Sequence, residues 1–504
     1  MIPHAARRAL RIVIWVVAAA LGISRFFWLA ADFPNYSPWM IDPAKFTDEG
    51  WWANAAAMHE LTGHWHVAGD YNPAAALPVW PIMLGALFHF TGVSIVAARA
   101  LSAAFSLATL GVVYLLFRRH SESPFAAQAA VLLMAASPFA FAYGRLAILD
   151  SLVAFEFCLM LLVASIAPNH TTTGKARDWP LAALALLVTV ALLTKTTIAV
   201  LLPAVAWVAW KSSTESPASN LKARVRRVRS RHALIRALIV VIVAPLAFLK
   251  LWAFFVSWLG YGQDYAYFFA VNDMPDIDWS QSLHWLHDLA VNGFWIDRFL
   301  YPLAVAILVA SVAFRRRLWR NPLFTASWLA IAGQAVFIFS RQDDYAPRYF
   351  LAMLAPVVFI VALVLDDALR SSRTAAGLLA AAMAFAVIFN SAAIAGFMAH
   401  RQYQLYSAAR QIAATVRADP GHSQLLFGVS AAEVGLIAGL PSINGAYGID
   451  DMAAKVARYK PGWYLTWNDE NESDVMAGHK LIPVASYHIF DDDERTTLVL
   501  YMVQ

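Results

Sequence analysis

The sequence predicts a polytopic α-helical membrane protein of about 11 spans that ends in a small soluble α/β domain. Of its 504 residues, 60% are hydrophobic and only 14% are charged, and the mean hydropathy is +0.56. Soluble domains average about 45–50% apolar and about 25% charged residues, so the composition excludes a soluble enzyme. Long apolar runs fill residues 1–398, whereas residues 399–504 show shorter mixed patterns. These two stretches are predicted to be a transmembrane domain and an extracytoplasmic domain.

Eleven apolar segments are predicted to span the membrane, for which a helix needs about 20 residues. The first segment is too long for a signal-peptide core and lacks a small-residue cleavage site, so we expect it to remain as a span. The pair 180–194 and 196–210 is short, and it is either two short helices or one broken span. The predicted segments are 10–31, 94–117, 125–142, 151–167, 180–194, 196–210, 237–258, 299–314, 322–340, 349–366 and 374–397.

Basic residues predict the orientation, because Lys and Arg collect in cytoplasmic loops. With a cytoplasmic N-terminus and 11 spans, the inside segments hold 21 Lys and Arg residues, whereas the outer segments that precede the C-terminal domain hold 6. This places a first outer loop at 32–93 and the C-terminal domain outside the cytoplasmic (inner) membrane. The basic run Lys222–Arg236 is expected to face anionic lipid headgroups, so the net charge of +5 does not indicate nucleic-acid binding.

The first outer loop contains an adjacent pair of acids. Asp48 and Glu49 follow a candidate N-cap, Thr47, and open an Ala-rich helix that is expected to end near Gly63. A helix N-terminus favours the ionised carboxylate. We therefore expect both acids to stay charged and available to accept a proton or hold a cation, although a plain polar helix start gives the same pattern.

A metal site is a weaker hypothesis for the same loop. His64 and His66 could supply two nitrogen ligands, but histidines in a hydrated loop are more often surface groups. The only cysteine, Cys158, lies in the middle of a predicted span and is expected to pack as a small apolar residue.

Charged residues also stand at the outer ends of predicted spans. Asp150 is either the N-cap of the next span or, with Arg145, part of a site for a charged substrate. Lys195 interrupts an apolar stretch, where a cation is costly unless it has a partner or reaches the interface, and its position suits a phosphate ligand. Arg341 and Arg348 flank an acidic segment, and they either pair with its carboxylates or hold a phosphate by forked hydrogen bonds.

Aromatic residues are frequent in the outer segment 259–298. The preference of aromatic side chains for the membrane–water interface explains most of this pattern, and stacking of sugar rings on exposed aromatic faces is the alternative.

The C-terminal domain alternates helical and strand patterns. Helices are predicted at 403–418, 431–439 and 452–459, and strands at 424–429, 463–467, 481–489 and 496–502, with an acidic loop at 468–474.

Taken together, these motifs resemble a known family. The residues that carry the resemblance are Asp48-Glu49-Gly50 before an aromatic residue, Asn72-Pro73 to Pro81, Phe88 to Gly92 before Arg99, Arg145 to Asp150, Leu193-Thr194-Lys195 and Arg348-Tyr349. In order and spacing over about the first 365 residues, the chain resembles the GT-C glycosyltransferases, in particular the bacterial relatives of dolichyl-phosphate-mannose protein mannosyltransferases and of lipid A aminoarabinose transferases. The basic residue that the family has before its first-loop prolines is replaced by Tyr71-Asn72, and the tail beyond residue 398 carries no family motif.

The resemblance implies an enzyme that moves a sugar from a polyprenyl phosphate to an acceptor hydroxyl, usually with inversion, in the outer leaflet. It implies Asp48 as general base, Glu49 and Asp150 as groups that orient the acceptor or a cation, and Lys195, Arg145, Arg341 and Arg348 as ligands of the donor phosphate. No cofactor is required, and a divalent metal is left open. The partners are the lipid-linked sugar, membrane lipids and a lipid, glycan or protein acceptor.

The alternative is a transporter or flippase of lipid-linked sugars. Transporters usually contain internal repeats and place their charges near the membrane midplane. This sequence shows no repeat, and its distinctive charges stand at span ends, which favours the enzyme.

Overall fold

The structure, a computed structural model, describes most of the chain. The described residues are 4–33, 43–72, 77–166, 179–214, 233–271, 303, 306, 307, 317–339, 347–445, 447–468, 479–491 and 495–504.

A bundle of helices forms the first four fifths of the chain. Its α-helices are α1 (His4–Ser24), α2 (Asp48–Thr62), α3 (Val79–Thr91), α4 (Ile95–His120), α5 (Pro124–Ala135), α6 (Pro138–Tyr143), α7 (Asp150–Ala164), α8 (Trp179–Thr194), α9 (Leu202–Thr214), α10 (Ala244–Leu259), α11 (Gly262–Val271), α12 (Pro322–Phe339), α13 (Leu351–Ser371) and α14 (Arg373–Ala399). Short 3-10 turns at Thr196–Leu201 and Pro347–Phe350 precede α9 and α13, and a π-helical turn at Ile239–Val243 precedes α10.

Most predicted apolar segments coincide with helices of the bundle, but segment 299–314 lies almost wholly outside the described residues. Within the described part, four helical stretches are long and apolar enough to cross a membrane: Ile95–His120, Ala233–Leu259, Arg348–Ser371 and Arg373–Ala418, the last of which contains α14 and the later helix Gln404–Ala418. Other apolar helices of the bundle are shorter. The chain is an integral membrane protein, and the count of 11 spans stays a prediction.

Two predicted segments are interrupted. The segment 125–142 was expected to be one span, but it divides into α5 and α6, because Ser137 caps the new helix and Pro138 occupies its first turn. Of the two alternatives for 180–210, the structure has separate helical pieces: Lys195 is extended, with φ −157° and ψ 119°, and separates α8 from the next turn. This break places the Lys195 side chain at a helix end.

The C-terminal module, meaning residues 404–504, is a five-stranded mixed sheet with helices. Its elements are α15 (Gln404–Ala418), β1 (Leu426–Phe427), α16 (Ala431–Ala438), β2 (Ser442–Ile443), α17 (Met452–Tyr459), β3 (Trp463–Trp467), β4 (Leu481–His488) and β5 (Thr497–Val503). The strand order is β2-β1-β3-β5-β4, in which β1 is parallel to β2 and β3 while β5 is antiparallel to β3 and β4. The predicted α/β class is confirmed, although the two-residue strand β2 was not predicted, and the acidic loop lies almost wholly outside the described residues.

Helix α2 joins the bundle to this module. Gly50, Asn54 and Met58 are spaced four residues apart, so they lie on one face of α2. Asn54 exchanges two hydrogen bonds with Ser442, one with its carbonyl at 3.3 Å and one with its hydroxyl at 3.1 Å. Ser442 also donates its backbone N–H to the Met58 sulfur at 3.4 Å. Helix α2 and the module are therefore packed as one unit.

The bundle also caps a helix of the module. Asp32, which follows α1, accepts the backbone N–H groups of Leu405 at 2.9 Å and Tyr406 at 3.1 Å in the first turn of α15. Those N–H groups have no acceptor within their own helix. Burial raises the pKa of Asp32 to about 6, although Arg99 and the two N–H groups oppose the shift.

A fully buried ion pair joins Asp70, in the segment between α2 and α3, to α17. Lys455 Nζ lies 2.9 Å from Asp70 Oδ1, and neither side chain is exposed to solvent. Asp70 also accepts the Asn444 backbone N–H at 3.0 Å, and Lys455 donates to the Asn444 carbonyl at 2.8 Å. Burial raises the pKa of Asp70, and Lys455 and Asn444 oppose this shift.

We expect Lys455→Met to destabilise the protein, because it leaves the Asp70 carboxyl buried without its cation, a loss that typically costs about 3–5 kcal/mol. Thermal unfolding in detergent should show a lower transition temperature. Adding Asp70→Leu should recover much of the loss, since the second change removes the uncompensated group. Lys480→Met, at an exposed lysine of the same module, is the matched control and should leave the transition unchanged. Equal transitions for Lys455→Met and Lys480→Met would contradict this account.

Candidate functional site

Glu49 anchors the start of α2 to the bundle. Arg99 of α4 donates from Nε to Glu49 Oε1 at 2.8 Å and from Nη2 to Oε2, so the two side chains form a forked pair. Ala147, in the turn before α7, donates its backbone N–H to the same Oε1. Arg99 Nη1 also reaches the carbonyls of Leu29 and Ala31 at 2.7 Å each. Both Glu49 oxygens are thus occupied, which suits a positioning role.

Asp48, the neighbouring acid, faces a different cation. Its carboxylate is paired with the guanidinium of Arg348, and both side chains are buried. Arg348 belongs to the 3-10 turn before α13, so this pair joins the start of α2 to a late helix of the bundle. Thr47 occupies the N-cap position as expected, but its side chain makes no capping bond to the helix, and Gly63 ends the helix in the left-handed conformation with φ 79°.

Asp150 and Lys195 form a second buried pair. Lys195 Nζ lies 2.7 Å from Asp150 Oδ1, and both side chains are less than a tenth exposed. Asp150 is the first residue of α7, and Leu149 occupies the N-cap position, so the N-cap alternative for Asp150 is wrong. Among the described residues Asp150 Oδ2 has no hydrogen-bond partner.

Tyr349 connects the two pairs. Lys195 Nζ lies 4.7 Å from the centroid of its ring, and Arg348 Cζ lies 5.0 Å from the same centroid. Both distances are within the range of cation–π attraction. We call Asp48, Arg348, Tyr349, Lys195 and Asp150 the charged cluster.

Arg145, another predicted phosphate ligand, is not in the charged cluster. Arg145 donates to the carbonyls of Phe27 at 2.8 Å and Trp28 at 2.6 Å, and its guanidinium lies over the rings of Phe141 and Phe397. It therefore holds the turn after α1, whose carbonyls need donors, and does not join Asp150 as expected. Arg341 lies outside the described residues.

The two candidate metal ligands have other surroundings. His66 Nε2 lies 3.1 Å from Asp264 Oδ2 of α11, and the His66 ring stacks on Tyr261 with centroids 4.0 Å apart. His64 is exposed. Within the described ranges no three His, Cys, Asp or Glu side chains come together as a group that could hold a metal ion.

Three residues of the site were not among the predicted site residues. Arg99 and Tyr349 stand in the resemblance motifs but were given no role, and Glu433 accepts the backbone N–H of Gly50. Arg99 is the only charged residue of α4 before Arg118, and Glu433 is the only one in the apolar helix α16, a pattern that signals a partner but does not identify it. The tyrosine ring carried no such signal, because a tyrosine beside a span is ordinary. The aromatic residues of 272–298 lie outside the described residues.

The chain is similar to one protein family over part of its length and to several solved structures in its fold. Residues 73–249 match the model of the dolichyl-phosphate-mannose-protein mannosyltransferase family. The fold is similar to that of ArnT from Cupriavidus metallidurans in the apo state, with a TM-score of 0.59, 15% identity and 97% of each chain covered. The undecaprenyl phosphate-bound structure of that protein matches with a TM-score of 0.58 at 15% identity, covering 97% of this chain and 98% of that chain.

A third similar structure is the archaeal oligosaccharyltransferase AglB from Archaeoglobus fulgidus in complex with an inhibitory peptide and a dolichol-phosphate. Its TM-score is 0.52 at 14% identity, with 91% of this chain and 69% of that chain covered. No curated protein matches the chain.

Arg99→Lys should destabilise the protein although it keeps the charge. Lysine cannot form the forked pair with Glu49 while also reaching two carbonyls, and hydrogen bonds to charged groups contribute about 1.5–3 kcal/mol each. Folded yield and the thermal transition in detergent should both fall. Arg118→Lys makes the same change at an exposed position of α4 and should have no effect. An unchanged transition in Arg99→Lys would show that the fork does not anchor α2.

Proposed function

We propose that this chain, a GT-C superfamily member related to ArnT and the protein mannosyltransferases, transfers a sugar from a polyprenyl-phosphate donor to an acceptor hydroxyl. The reaction takes place at the outer face of the cytoplasmic membrane. The observation that carries the proposal is the charged cluster, in which two buried carboxylate–cation pairs meet on one aromatic ring.

The cluster contains the groups that such a transfer needs. The acceptor oxygen bonds to the anomeric carbon while the bond from that carbon to the phosphate oxygen breaks. The phosphate leaves with the electron pair, and the acceptor hydroxyl loses its proton to a carboxylate. A positioned general base contributes typically about 10²–10⁴-fold, and cations that face the leaving group stabilise its developing charge.

Asp48 is the acid best placed to act as this base. Both oxygens of Glu49 are occupied by Arg99 and the Ala147 N–H, which makes Glu49 a positioning residue. Asp48 instead faces Arg348, a cation that suits a phosphate. A carboxylate accepts a proton less readily while a guanidinium is paired with it. We infer that the donor phosphate draws Arg348 from Asp48, so that donor binding also frees the base.

Lys195 and Asp150 provide the second half of the site. Lys195 binds the phosphate alongside Arg348, and Asp150 keeps the ammonium buried and directed at the cluster. The unpaired Asp150 Oδ2 can accept a hydrogen bond from an acceptor or sugar hydroxyl. Arg145 stabilises the fold near α1, and Arg341 remains a candidate phosphate ligand.

Bound lipids in similar proteins support a lipid-linked donor. One ArnT structure holds undecaprenyl phosphate, and the AglB complex holds a dolichol-phosphate together with an inhibitory peptide. For this chain we propose a polyprenyl-phosphate sugar as donor, a lipid, glycan or protein as acceptor, and inversion at the anomeric carbon. No cofactor is needed for this chemistry, and a divalent metal stays an open addition.

The proposed topology keeps the charged cluster and the C-terminal module on the same side. Eleven spans with a cytoplasmic N-terminus place both outside the cytoplasm, in accord with the distribution of basic residues. The donor phosphate then lies at headgroup depth, where Lys195 and Arg348 can reach it.

Asp48→Asn should abolish sugar transfer in proteoliposomes, with a loss of about 10²–10⁴-fold, and should leave expression and polyprenyl-phosphate binding intact. Glu60→Gln, at an exposed acid near the other end of α2, is the matched control and should keep full activity. A fully active Asp48→Asn variant would remove Asp48 as the base. Movement of the lipid-linked sugar across the bilayer without transfer would indicate the flippase instead.

Lys195→Met should weaken binding of a polyprenyl phosphate, measured as the Kd in detergent, by roughly tenfold or more, because one of two cations is lost. Lys250→Met, at an exposed lysine of α10, should leave the Kd unchanged. Lys195→Met leaves the Asp150 carboxylate buried without its cation, which can destabilise the fold. The double variant with Asp150→Asn removes that charge, so a weaker Kd in a folded double variant reports lost binding and not misfolding. A double variant that folds and binds as the wild type does would refute the role of Lys195.

A further inference from the structure

Helix α16 of the C-terminal module meets the first turn of α2 in unusually close contact. The backbone N–H of Gly50 donates to Glu433 Oε2 at 2.6 Å, and the Glu433 side chain is buried. A Cβ atom at Gly50 would lie 2.1 Å from the Glu433 nitrogen and 2.3 Å from the Ala432 carbonyl carbon. Only glycine lets the two backbones approach this closely, which explains the glycine after the two acids.

This contact satisfies a requirement of α2. The first N–H groups of a helix have no acceptor within the helix, and a side chain at the N-cap usually supplies one. Thr47 occupies that position but makes no capping bond to the helix. Glu433 supplies the acceptor from a different part of the chain, and a carboxylate at this end also interacts favourably with the helix dipole.

Glu433 is buried near two other acids, Asp48 and Glu49, so an ionised Glu433 side chain is energetically unfavourable there. Burial raises the pKa of Glu433 well above its ordinary value, and the nearby carboxylates of Glu49 and Asp48 raise it further, whereas Arg99 and the Gly50 N–H lower it. An apolar side chain of similar size would fill the space without this cost. The hydrogen bond to Gly50 is what the carboxyl adds.

We propose that Glu433 is a positioning residue of the transfer site: the C-terminal module caps α2 from outside the helix and thereby fixes the directions of Asp48 and Glu49. The inference rests on the proposed function for its kinetic consequence only. Undocking the module would release the first turn of α2, so the module is an integral part of the site. The Asn54–Ser442 and Asp70–Lys455 contacts keep the two parts together while the cap is made.

The first test needs no substrate. Hydrogen–deuterium exchange of the full-length protein in detergent, followed by mass spectrometry, should show faster exchange in the peptide around residues 47–53 for Glu433→Ala. Peptides from the second half of α2 should be unchanged. Ser442→Ala removes only the hydroxyl hydrogen bond to Asn54 and keeps the two bonds that the Ser442 backbone makes to α2. The module should therefore stay docked, and the first turn should stay protected. Unchanged exchange in Glu433→Ala overturns the proposal.

The second test uses the polyprenyl-phosphate hexose or pentose that the wild-type protein consumes, chosen from a synthetic panel. Glu433→Ala should lower kcat by roughly 10- to 100-fold with little change in the KM for the donor, as expected for a displaced catalytic group. Glu433→Gln keeps an amide oxygen for the Gly50 N–H and should restore most of kcat, and Ser442→Ala should keep it.

The outcomes separate the two proposals. An equal loss of kcat in Glu433→Gln and Glu433→Ala would show that the charge of Glu433 matters and not its hydrogen bond to Gly50. An equal loss of kcat in Ser442→Ala would show general destabilisation. Each result overturns the positioning role. A wild-type protein that transfers no sugar from any member of the panel would contradict the proposed function, while the exchange experiment would still decide whether Glu433 caps α2.

Discussion

The site depends on one buried interaction, the forked pair between Glu49 and Arg99. It joins α2 to α4, which is long and apolar enough to span the membrane. Arg99 also holds the carbonyls after α1, and Glu49 holds the turn before α7. Four separate segments therefore meet at one ion pair. Burying either charge alone would be very costly, so the pair allows essentially one arrangement of these segments.

The same constraint explains why the charges of the site occur in pairs. Asp48 with Arg348, Asp150 with Lys195 and Glu49 with Arg99 are each carboxylate–cation pairs inside an apolar bundle. In the proposed reaction a lipid phosphate meets cations that are already held in place, and Arg348 exchanges the Asp48 carboxylate for the phosphate. This exchange needs little reorganisation, which is the condition for efficient electrostatic stabilisation of a leaving group.

The bundle and the C-terminal module are connected by exchanged caps. Asp32 of the bundle caps α15 of the module, while Glu433 of the module caps α2 of the bundle. Each helix start thus depends on the other part for its hydrogen bonds. The module therefore takes part in building the site, although its own residues offer no recognised catalytic motif.

The sequence by itself determined the class of protein, most of its helices and the residues that could carry charge chemistry. These features are local: hydropathy over about 20 residues marks a membrane helix, and α17 and β3 follow from short periodic patterns. It also singled out Asp48, Asp150, Lys195 and Arg348, because a charge at the end of an apolar helix stands out from its neighbours.

Only the tertiary structure decided which charges are partners. Spacing along the chain favours Arg145, five residues away, as the neighbour of Asp150 in a charged site. In the structure Arg145 supports the turn after α1, and Lys195 is the partner of Asp150. Glu433 reaches Gly50 across more than 380 residues. Such pairings follow from how helices pack and from which buried group lacks a partner, and neither can be obtained from a pattern along the chain.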